Sequence, residues 1–340
     1  MNVLLTAVGR RSYLVRYFQE ELKGRGKVIV TNSYADTPGM HVADIAQVVP
    51  PSHDPGYVDA IMAICRKFDV RLLCSCHDLD VLALSMARDH FQAEGIVAML
   101  PDPDWARSCL DKFECGRRLG AAGFGVPWAS VSLEETLDLL ASGMIHFPLL
   151  VKARLGFGSL GLSRCDNVKE LKSLIHQALN ELRDSPVDHF LRIPPSAAVL
   201  IQEFLAGPER CVDVVNDLKG HYAGHFICEV HAMRAGESAN ATTLDPTILG
   251  DLPVRLSKFT RHVGIWGVDV LMNDGNPKII DLNPRFTGDY PFQHIAGANV
   301  PATLLAWCDG MDPDPAWLAP ATGVSGFKDL VPTRIRSEGN

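Results

Sequence analysis

The stretch GVDVLMNDGNPKIIDLNPRFTGDYP, residues 267–291, decides the fold of this chain. It contains two apolar runs joined by Asn273-Asp274-Gly275-Asn276-Pro277, a composition typical of the turn of a β-hairpin. Asp269 lies on the first predicted strand and Asp281 on the second, so folding the hairpin brings the two carboxylates near each other. Asn283 lies two residues past Asp281, and on an extended strand its side chain points to the same face.

These side chains predict a metal site. Two carboxylates and an amide oxygen that face one space form an all-oxygen site, which Mg²⁺ or Mn²⁺ prefers. Arg285 follows on the same face, where it can meet a phosphate held by the metal. The alternative is an ordinary hairpin with solvated acids. We favour the metal site over that alternative, because both acids interrupt apolar strands.

Composition restricts the class of protein. The 340 residues are enough for two or three domains, and 47% hydrophobic with 21% charged residues is ordinary for a globular enzyme. The net charge of −8 argues against a nucleic-acid or anionic-membrane partner. No apolar run reaches the roughly 18 residues that span a bilayer, and the N-terminus reads as a first strand rather than a signal peptide. The nine scattered cysteines indicate reduced thiols in a cytoplasmic protein and no zinc site.

The first hundred residues alternate strand and helix patterns, which predicts a parallel sheet covered by helices. Ligands of such sheets bind at the carboxyl ends of the strands, where residues 8–12 and 77–80 fall. Residues 8–12 do not form a GxGxxG motif, so a dinucleotide site is weakly indicated. The prolines and acids of residues 101–104 end this unit. A single helix is predicted to follow from about Trp105 to Ala122.

A second candidate element for binding anions follows. Lys152 ends a predicted strand, and the glycine-rich stretch RLGFGSLG, residues 154–161, comes directly after it. Gly156, Gly158 and Gly161 let backbone N–H groups approach phosphate oxygens closely, and a lysine supplies charge for the same anion. The stretch is not a Walker A loop, since no GK[ST] follows. In isolation it would be read as a flexible hairpin turn.

Four motifs occur in a fixed order along the chain: Asp111-Lys112, Pro148-x3-Lys152 with the glycine loop, Gln202-Glu203-Phe204-Leu205-x3-Glu209, and Asp269-x11-Asp281-x-Asn283-x-Arg285. In this set the chain resembles the ATP-grasp superfamily of carboxylate–amine ligases. Three phrases are similar to its carbamoyl-phosphate-synthase-like branch: Val8-Gly9-Arg10-Arg11, Arg234-Ala235-Gly236-Glu237 and Asn283-Pro284-Arg285-Phe286. The resemblance covers essentially the whole chain.

The resemblance implies an α/β chain with the ATP-grasp fold and an N-terminal Rossmann-like, pre-ATP-grasp parallel-sheet domain. The expected divisions are residues 1–104 for the N-terminal domain, 105–196 for the central subdomain and 197–340 for the C-terminal subdomain with the metal site.

The resemblance also implies roles for individual residues. Lys112 and Lys152 would hold ATP phosphates or the adenine side of the pocket. The loop with Gly156, Gly158, Ser159 and Gly161 would close over the triphosphate. The adenine-binding hinge would comprise Gln202, Glu203, Phe204 and Leu205, with Glu209 on the ribose.

For the chemistry, the resemblance implies that Asp269, Asp281 and Asn283 bind two Mg²⁺ ions, with Mn²⁺ as a substitute. Arg285 would stabilise the transferring phosphoryl group, and Arg234 would hold an anionic substrate or phosphate. Read alone, Lys112 is equally well a surface charge, and Arg234 a solvated loop residue.

The chain departs from the family pattern at two places. Relatives often carry Glu where this chain has the two metal-site Asp residues; the shorter side chain still ligates Mg²⁺. Where relatives have a run of glycines, this chain has Phe286-Thr287-Gly288-Asp289, and that loop normally lies against the acceptor substrate. Asp289 either attracts a substrate ammonium or caps a turn. The roles of Arg10, Arg11 and Asp78 also stay open, although either arginine is a candidate for a substrate carboxylate.

The implied activity is an ATP-dependent ligase that joins a small-molecule carboxylate to an amine through an acylphosphate and releases ADP and phosphate. Amino acids or specialised-metabolite precursors are the expected substrates, without a nucleic-acid or membrane partner, and a homodimer is the assembly considered. The alternatives are an ATP-dependent carboxylase or carbamoyl-phosphate-type enzyme, and a catalytically inactive nucleotide-binding protein.

Overall fold

The structure is a computed structural model that describes residues 1–156, 161–182, 193–234 and 237–335. Its N-terminal part is a five-stranded sheet in the order β3-β2-β1-β4-β5 with every neighbouring pair parallel, as predicted. The strands are β1 Asn2–Thr6, β2 Val28–Asn32, β3 Ile45–Val48, β4 Val70–Ser75 and β5 Val97–Met99. The helices are α1 Ser12–Leu22, α2 Pro38–Val42, α3 Tyr57–Lys67, α4 Asp78–Ser85 and α5 Arg88–Ala93.

Both faces of this sheet are covered, which explains the continuous apolar runs of its central strands. Val3 and Leu5 belong to one buried cluster, and Leu4 between them belongs to another. The segments after β1 and β4 therefore emerge at the carboxyl edge of the sheet, where ligands of such sheets bind.

The central part contains a four-stranded antiparallel sheet in the order β6-β9-β7-β8. Its elements are β6 Ala129–Ser130, α8 Leu133–Ala141, β7 Leu149–Ala153, β8 Ser163–Cys165, α9 Val168–Leu182 and β9 Val199–Glu203, preceded by α6 Pro103–Leu110 and α7 Lys112–Ala121. This sheet and α9 enclose their own hydrophobic cluster.

The single helix predicted over residues 105–122 is wrong, because the chain breaks between α6 and α7 at Asp111. Asp111 has extended backbone angles, φ −100° and ψ 94°, and its carboxylate accepts a hydrogen bond of 3.0 Å from the amide of Glu114. Arg154 holds the same carboxylate through two hydrogen bonds of 2.8 and 2.7 Å. This N-cap and its distant partner outweigh the local helical pattern.

The C-terminal part is a six-stranded antiparallel sheet in the order β14-β13-β10-β11-β12-β15. Its elements are β10 Glu209–Asn216, β11 Tyr222–Arg234, β12 Glu237–Leu244, α10 Leu252–Thr260, β13 Gly264–Asn273, β14 Asn276–Asn283, α11 Tyr290–Ile295, α12 Val300–Cys308 and β15 Ser325–Phe327. Short 3₁₀ turns cover Pro195–Ala197, Pro246–Leu249 and Pro315–Leu318.

The sheets bear on the predicted division of the chain. β9 pairs with β6 and β7, so the chain passes from the central to the C-terminal sheet between Glu203 and Glu209. This pairing favours a boundary in residues 204–208 over the predicted one after residue 196, which would separate β9 from its sheet. The three-part division itself stays a prediction. Within the described ranges, no helix has both the length and the apolar character needed to cross a membrane.

Candidate functional site

The β13–β14 hairpin has the predicted form and places Asp269 directly opposite Asp281. The side-chain amide of Asn283 donates a hydrogen bond of 3.1 Å to the Asp269 carboxylate. The three predicted metal ligands therefore lie together. Gly267 stands opposite Asn283. A Cβ at Gly267 would lie 2.0 Å from Cγ2 of Thr287, so the absence of a side chain lets the segment after β14 pack close to the hairpin.

Carboxylates crowd at this hairpin. Burial, followed by the charges of Asp281, Asp289 and Glu209, raises the pKa of Asp269 well above its ordinary value. Burial and two of the same neighbours also raise the pKa of Glu209. Ligand atoms of Glu209, Cys211 and Asp269 lie within 4.8 Å of one another. A cation would reduce the repulsion between these buried carboxylates. Because the ligand atoms of this group are mainly oxygens, the group fits Mg²⁺ or Mn²⁺.

Two lysines lie beside the carboxylates. Lys112 begins α7, immediately after the break at Asp111, and its ammonium donates to the carboxylate of Asp281. Burial lowers the pKa of Lys112, but the neighbouring carboxylates outweigh burial and raise it overall. Lys152 lies on β7, and burial together with the charge of Lys112 lowers its pKa to about 8. An anion such as a phosphate would favour the charged form of Lys152.

Arg285 connects the hairpin to the N-terminal sheet. Its guanidinium donates hydrogen bonds of 3.0 and 2.7 Å to Asp78 and one of 3.2 Å to Asn283. Burial would raise the pKa of Asp78, but Arg285 outweighs burial and lowers it. Of the predicted loop 77–80, Asp78 therefore contacts the site through Arg285, a pairing that sequence reasoning missed.

A second ion pair joins the same parts of the chain. Arg11, which precedes α1, contacts Glu237 at 3.2 and 3.0 Å and donates to the backbone carbonyl of Cys76. Lys328 holds the other oxygen of Glu237 at 3.4 Å. Sequence reasoning did not assign Glu237, although it belongs to one of the phrases that carried the resemblance.

The predicted hinge is anchored at both ends. The amide of Trp128 donates 3.1 Å to the side chain of Glu203, and the amide of Met272 donates 3.2 Å to the carbonyl of Pro208. A Cβ at Gly207 would lie 1.5 Å from the carbonyl oxygen of Met272. The turn between β9 and β10 therefore packs directly on the end of β13.

These elements enclose a cleft of about 620 Å³. The predicted site residues that line it are Lys112, Lys152, Gly156, Gln202, Glu203, Phe204, Leu205, Glu209, Asp269, Asp281, Asn283 and Arg285. The cleft lining also includes Arg11 and Asp289, whose roles the sequence left open, and three residues that were given no role: Met233, Glu237 and Ser238.

Some predicted site residues lie elsewhere. Gly161 packs towards α9, where a Cβ would meet that of Ala178 at 3.4 Å. Arg234 is exposed at the end of β11 and does not line the cleft, which argues against its predicted contact with substrate. Gly158 and Ser159 lie outside the described residues.

Comparisons with known proteins agree with this architecture. The ATP-grasp domain family model matches residues 109–289, and the model described as "PylC-like, N-terminal domain" matches residues 3–99. Acetyl-CoA carboxylase of Dictyostelium discoideum is 28% identical over 180 residues, which are 51% of this chain and 7% of that protein. The chain spans no more than 19% of the first three curated relatives that it matches.

Two solved structures show the fold. Biotin carboxylase of Campylobacter jejuni has a TM-score of 0.72 at 17% identity and covers 94% of this chain and 73% of its own. L-amino acid ligase of Bacillus licheniformis has a TM-score of 0.67 at 17% identity and covers 94% and 77%. At such identity these likenesses concern the fold alone, and they confirm the α/β architecture with its N-terminal parallel sheet.

Proposed function

The chain belongs to the ATP-grasp family, and we propose that it is an ATP-dependent ligase that joins a carboxylate to an amine. The observation that carries this proposal is the cleft in which Lys112, Lys152 and Arg285 surround the carboxylate hairpin. Cations beside an oxygen-rich metal site match the negative charge of a triphosphate. The likeness to an L-amino acid ligase supports amino acids as the substrate class.

In the proposed reaction, a carboxylate oxygen of the acid attacks the γ-phosphorus of ATP, a C–O–P linkage forms and ADP leaves. The amine nitrogen then attacks the acyl carbon, the C–N bond forms, the C–O bond breaks and phosphate leaves, while the amine gives up its proton to solvent. Lys112, Lys152 and Arg285 would orient the phosphates and stabilise their charge. No protein nucleophile takes part.

Asp269, Asp281 and Asn283 would hold two Mg²⁺ ions, or Mn²⁺ in their place. When bound, these ions would neutralise the phosphate oxygens. The hinge at Gln202–Leu205 would take the adenine, and Glu209 the ribose. Ligand atoms of Glu209 and Asp269 lie within 4.8 Å of each other. The alternative role for Glu209 is therefore to bind the metal instead of the ribose. All nine cysteines are free, which supports a reducing, cytoplasmic location.

The proposal predicts ADP and phosphate as products and an acylphosphate on the way. Wild-type protein should be incubated with ATP, Mg²⁺ and hydroxylamine against a panel of amino acids and small dicarboxylic acids. A hydroxamate and ADP should form with at least one acid, and Asp281→Ala should abolish both. Asp274→Asn, a change at the exposed hairpin turn, serves as the control. AMP and pyrophosphate as products would contradict the acylphosphate mechanism.

The likeness to acetyl-CoA carboxylase and biotin carboxylase supports one other activity, ATP-dependent carboxylation. The same assay separates the two. A carboxylase would release ADP in the presence of bicarbonate alone, whereas the ligase requires an organic acid in bicarbonate-depleted buffer.

A further inference from the structure

The segment after β14 holds Asp289 in a fixed position on the cleft. Thr287 donates a hydrogen bond of 2.7 Å to Asp213, and its hydroxyl accepts hydrogen bonds of 3.1 Å each from the amides of Asp289 and Tyr290. Gly288 packs against Glu237, whose Cγ would lie 3.2 Å from an added Cβ. Hydrogen bonds and packing therefore fix the backbone from which the Asp289 side chain extends.

The Asp289 carboxylate is buried without a protein partner. The residue is 7% exposed, and its Oδ1 has no hydrogen bond within the described part of the chain. Asp289 directly precedes α11, but its side chain makes no capping hydrogen bond, so capping does not explain it. A buried carboxylate without a donor is costly, and a ligand that enters the cleft can supply the missing partner.

The cations of the cleft do not supply that partner. Arg11 is paired with Glu237, Lys112 with Asp281 and Arg285 with Asp78, and Lys152, the other cation of the lining, forms no ion pair in the described part of the chain. Across the described ranges, no ion pair within 4.0 Å involves Asp289. Asp289 is thus a negative charge of the cleft lining, next to the contact of Gly288 with Glu237, that a cation from outside can pair with.

The cation is more consistent with an ammonium than with a further metal ion. Ligand atoms that lie within 4.8 Å of one another come from Glu209, Cys211 and Asp269, and Asp289 is not in that described group. A single carboxylate suits one ammonium group, whereas Mg²⁺ requires several oxygen ligands at close range.

We propose that Asp289 binds the ammonium group of the amine substrate and thereby selects a protonated primary amine, as in an amino acid, over a neutral nucleophile. The inference rests on the proposed ligase function and specifies its acceptor. Asp289 holds the ammonium group before attack; the ammonium then loses one proton to solvent, and the free amine attacks the acyl carbon. Asp289 takes no part in the transfer of phosphate. Substitution of Asp289 should therefore affect binding of the amine, whereas substitution of the nucleotide-binding residues affects ATP.

The test compares two nucleophiles in wild type, Asp289→Asn, Asp289→Glu and the control Asp274→Asn. The acid is the one that gives the strongest hydroxamate with wild type, and each standard L-amino acid is supplied as the amine. Hydroxylamine is largely uncharged at the slightly alkaline pH of the assay, so it does not need a carboxylate. Thermal unfolding confirms that each variant is folded.

Loss of the charged partner should raise the KM for the amine about ten- to a hundredfold in Asp289→Asn, much more than it lowers the hydroxamate rate. Asp289→Glu should recover part of the difference. An unchanged KM for the amine in Asp289→Asn would overturn this inference and leave the proposed ligase function standing. Equal losses with both nucleophiles would place Asp289 on the nucleotide or metal side and would also overturn it. Absence of hydroxamate in the wild type would overturn the proposed function, and the inference with it.

Discussion

At the scale of single residues, His262 makes the stability of the protein depend on pH. It lies buried between α10 and β13 with its ring edge-on to Trp266, and burial lowers its pKa from 6.5 to about 3. The unfolded chain therefore takes up a proton below about pH 6.5 that the folded chain does not. The contribution of His262 to stability is complete above that pH and decreases as the pH falls towards the folded pKa.

We expect His262→Phe, which keeps an aromatic ring, to remove this dependence. Relative to the variant, wild type should lose about 2 kcal/mol of unfolding free energy between neutral pH and about pH 5. Urea unfolding of both proteins at the two pH values measures the difference. Exposed His176→Gln is the control. A constant difference between wild type and His262→Phe would show that His262 is protonated in the folded state.

At the scale of elements, the turn between β9 and β10 is fixed by one glycine. Because a Cβ at Gly207 would overlap the carbonyl of Met272, Gly207→Ala must push the hinge away from β13. We expect nucleotide affinity to fall at least tenfold and the protein to lose about 1–3 kcal/mol of stability. Gly116→Ala in α7 has open space and should be neutral or slightly stabilising. Calorimetric titration of ATP and thermal unfolding test both variants; wild-type affinity in Gly207→Ala would exclude this packing constraint.

Elements with local signals were predictable from the sequence. The β13–β14 hairpin follows from its turn residues and alternating apolar positions, and the parallel sheet follows from the alternation of strand and helix. The break at Asp111 was missed because its partner Arg154 lies 43 residues away. The pairing of Arg285 with Asp78 spans 207 residues, and no local pattern reports such contacts.

At the scale of the whole molecule, the N-terminal and C-terminal sheets share one hydrophobic cluster. It contains Val3 and Leu5 of β1 together with Phe226 of β11, Ile265 of β13 and Leu304 of α12. The ion pairs Arg11–Glu237 and Asp78–Arg285 cross the same junction. The central sheet, in contrast, encloses a cluster of its own.

We therefore expect residues 1–104, expressed alone, not to fold stably. Each large apolar side chain left without its partner forfeits about 1.5–3 kcal/mol, and a few of them equal the roughly 5–15 kcal/mol that stabilises a domain. Near-ultraviolet circular dichroism and the dispersion of amide proton signals test the fragment, with the full chain as control. A cooperative unfolding transition in the fragment would contradict the shared core. Whether the whole chain forms a homodimer stays a prediction.

The ammonium of Lys112 rests on a carboxylate that the proposed metal also needs. Under that proposal, entry of the ion is an exchange of one positive charge for another at Asp281. The displaced lysine becomes available for the phosphates that accompany the metal. Binding of the metal and binding of the nucleotide are then coupled: each would bind more tightly when the other is already bound. Before either ligand binds, the ion pair between Lys112 and Asp281 occupies both the carboxylate and the ammonium.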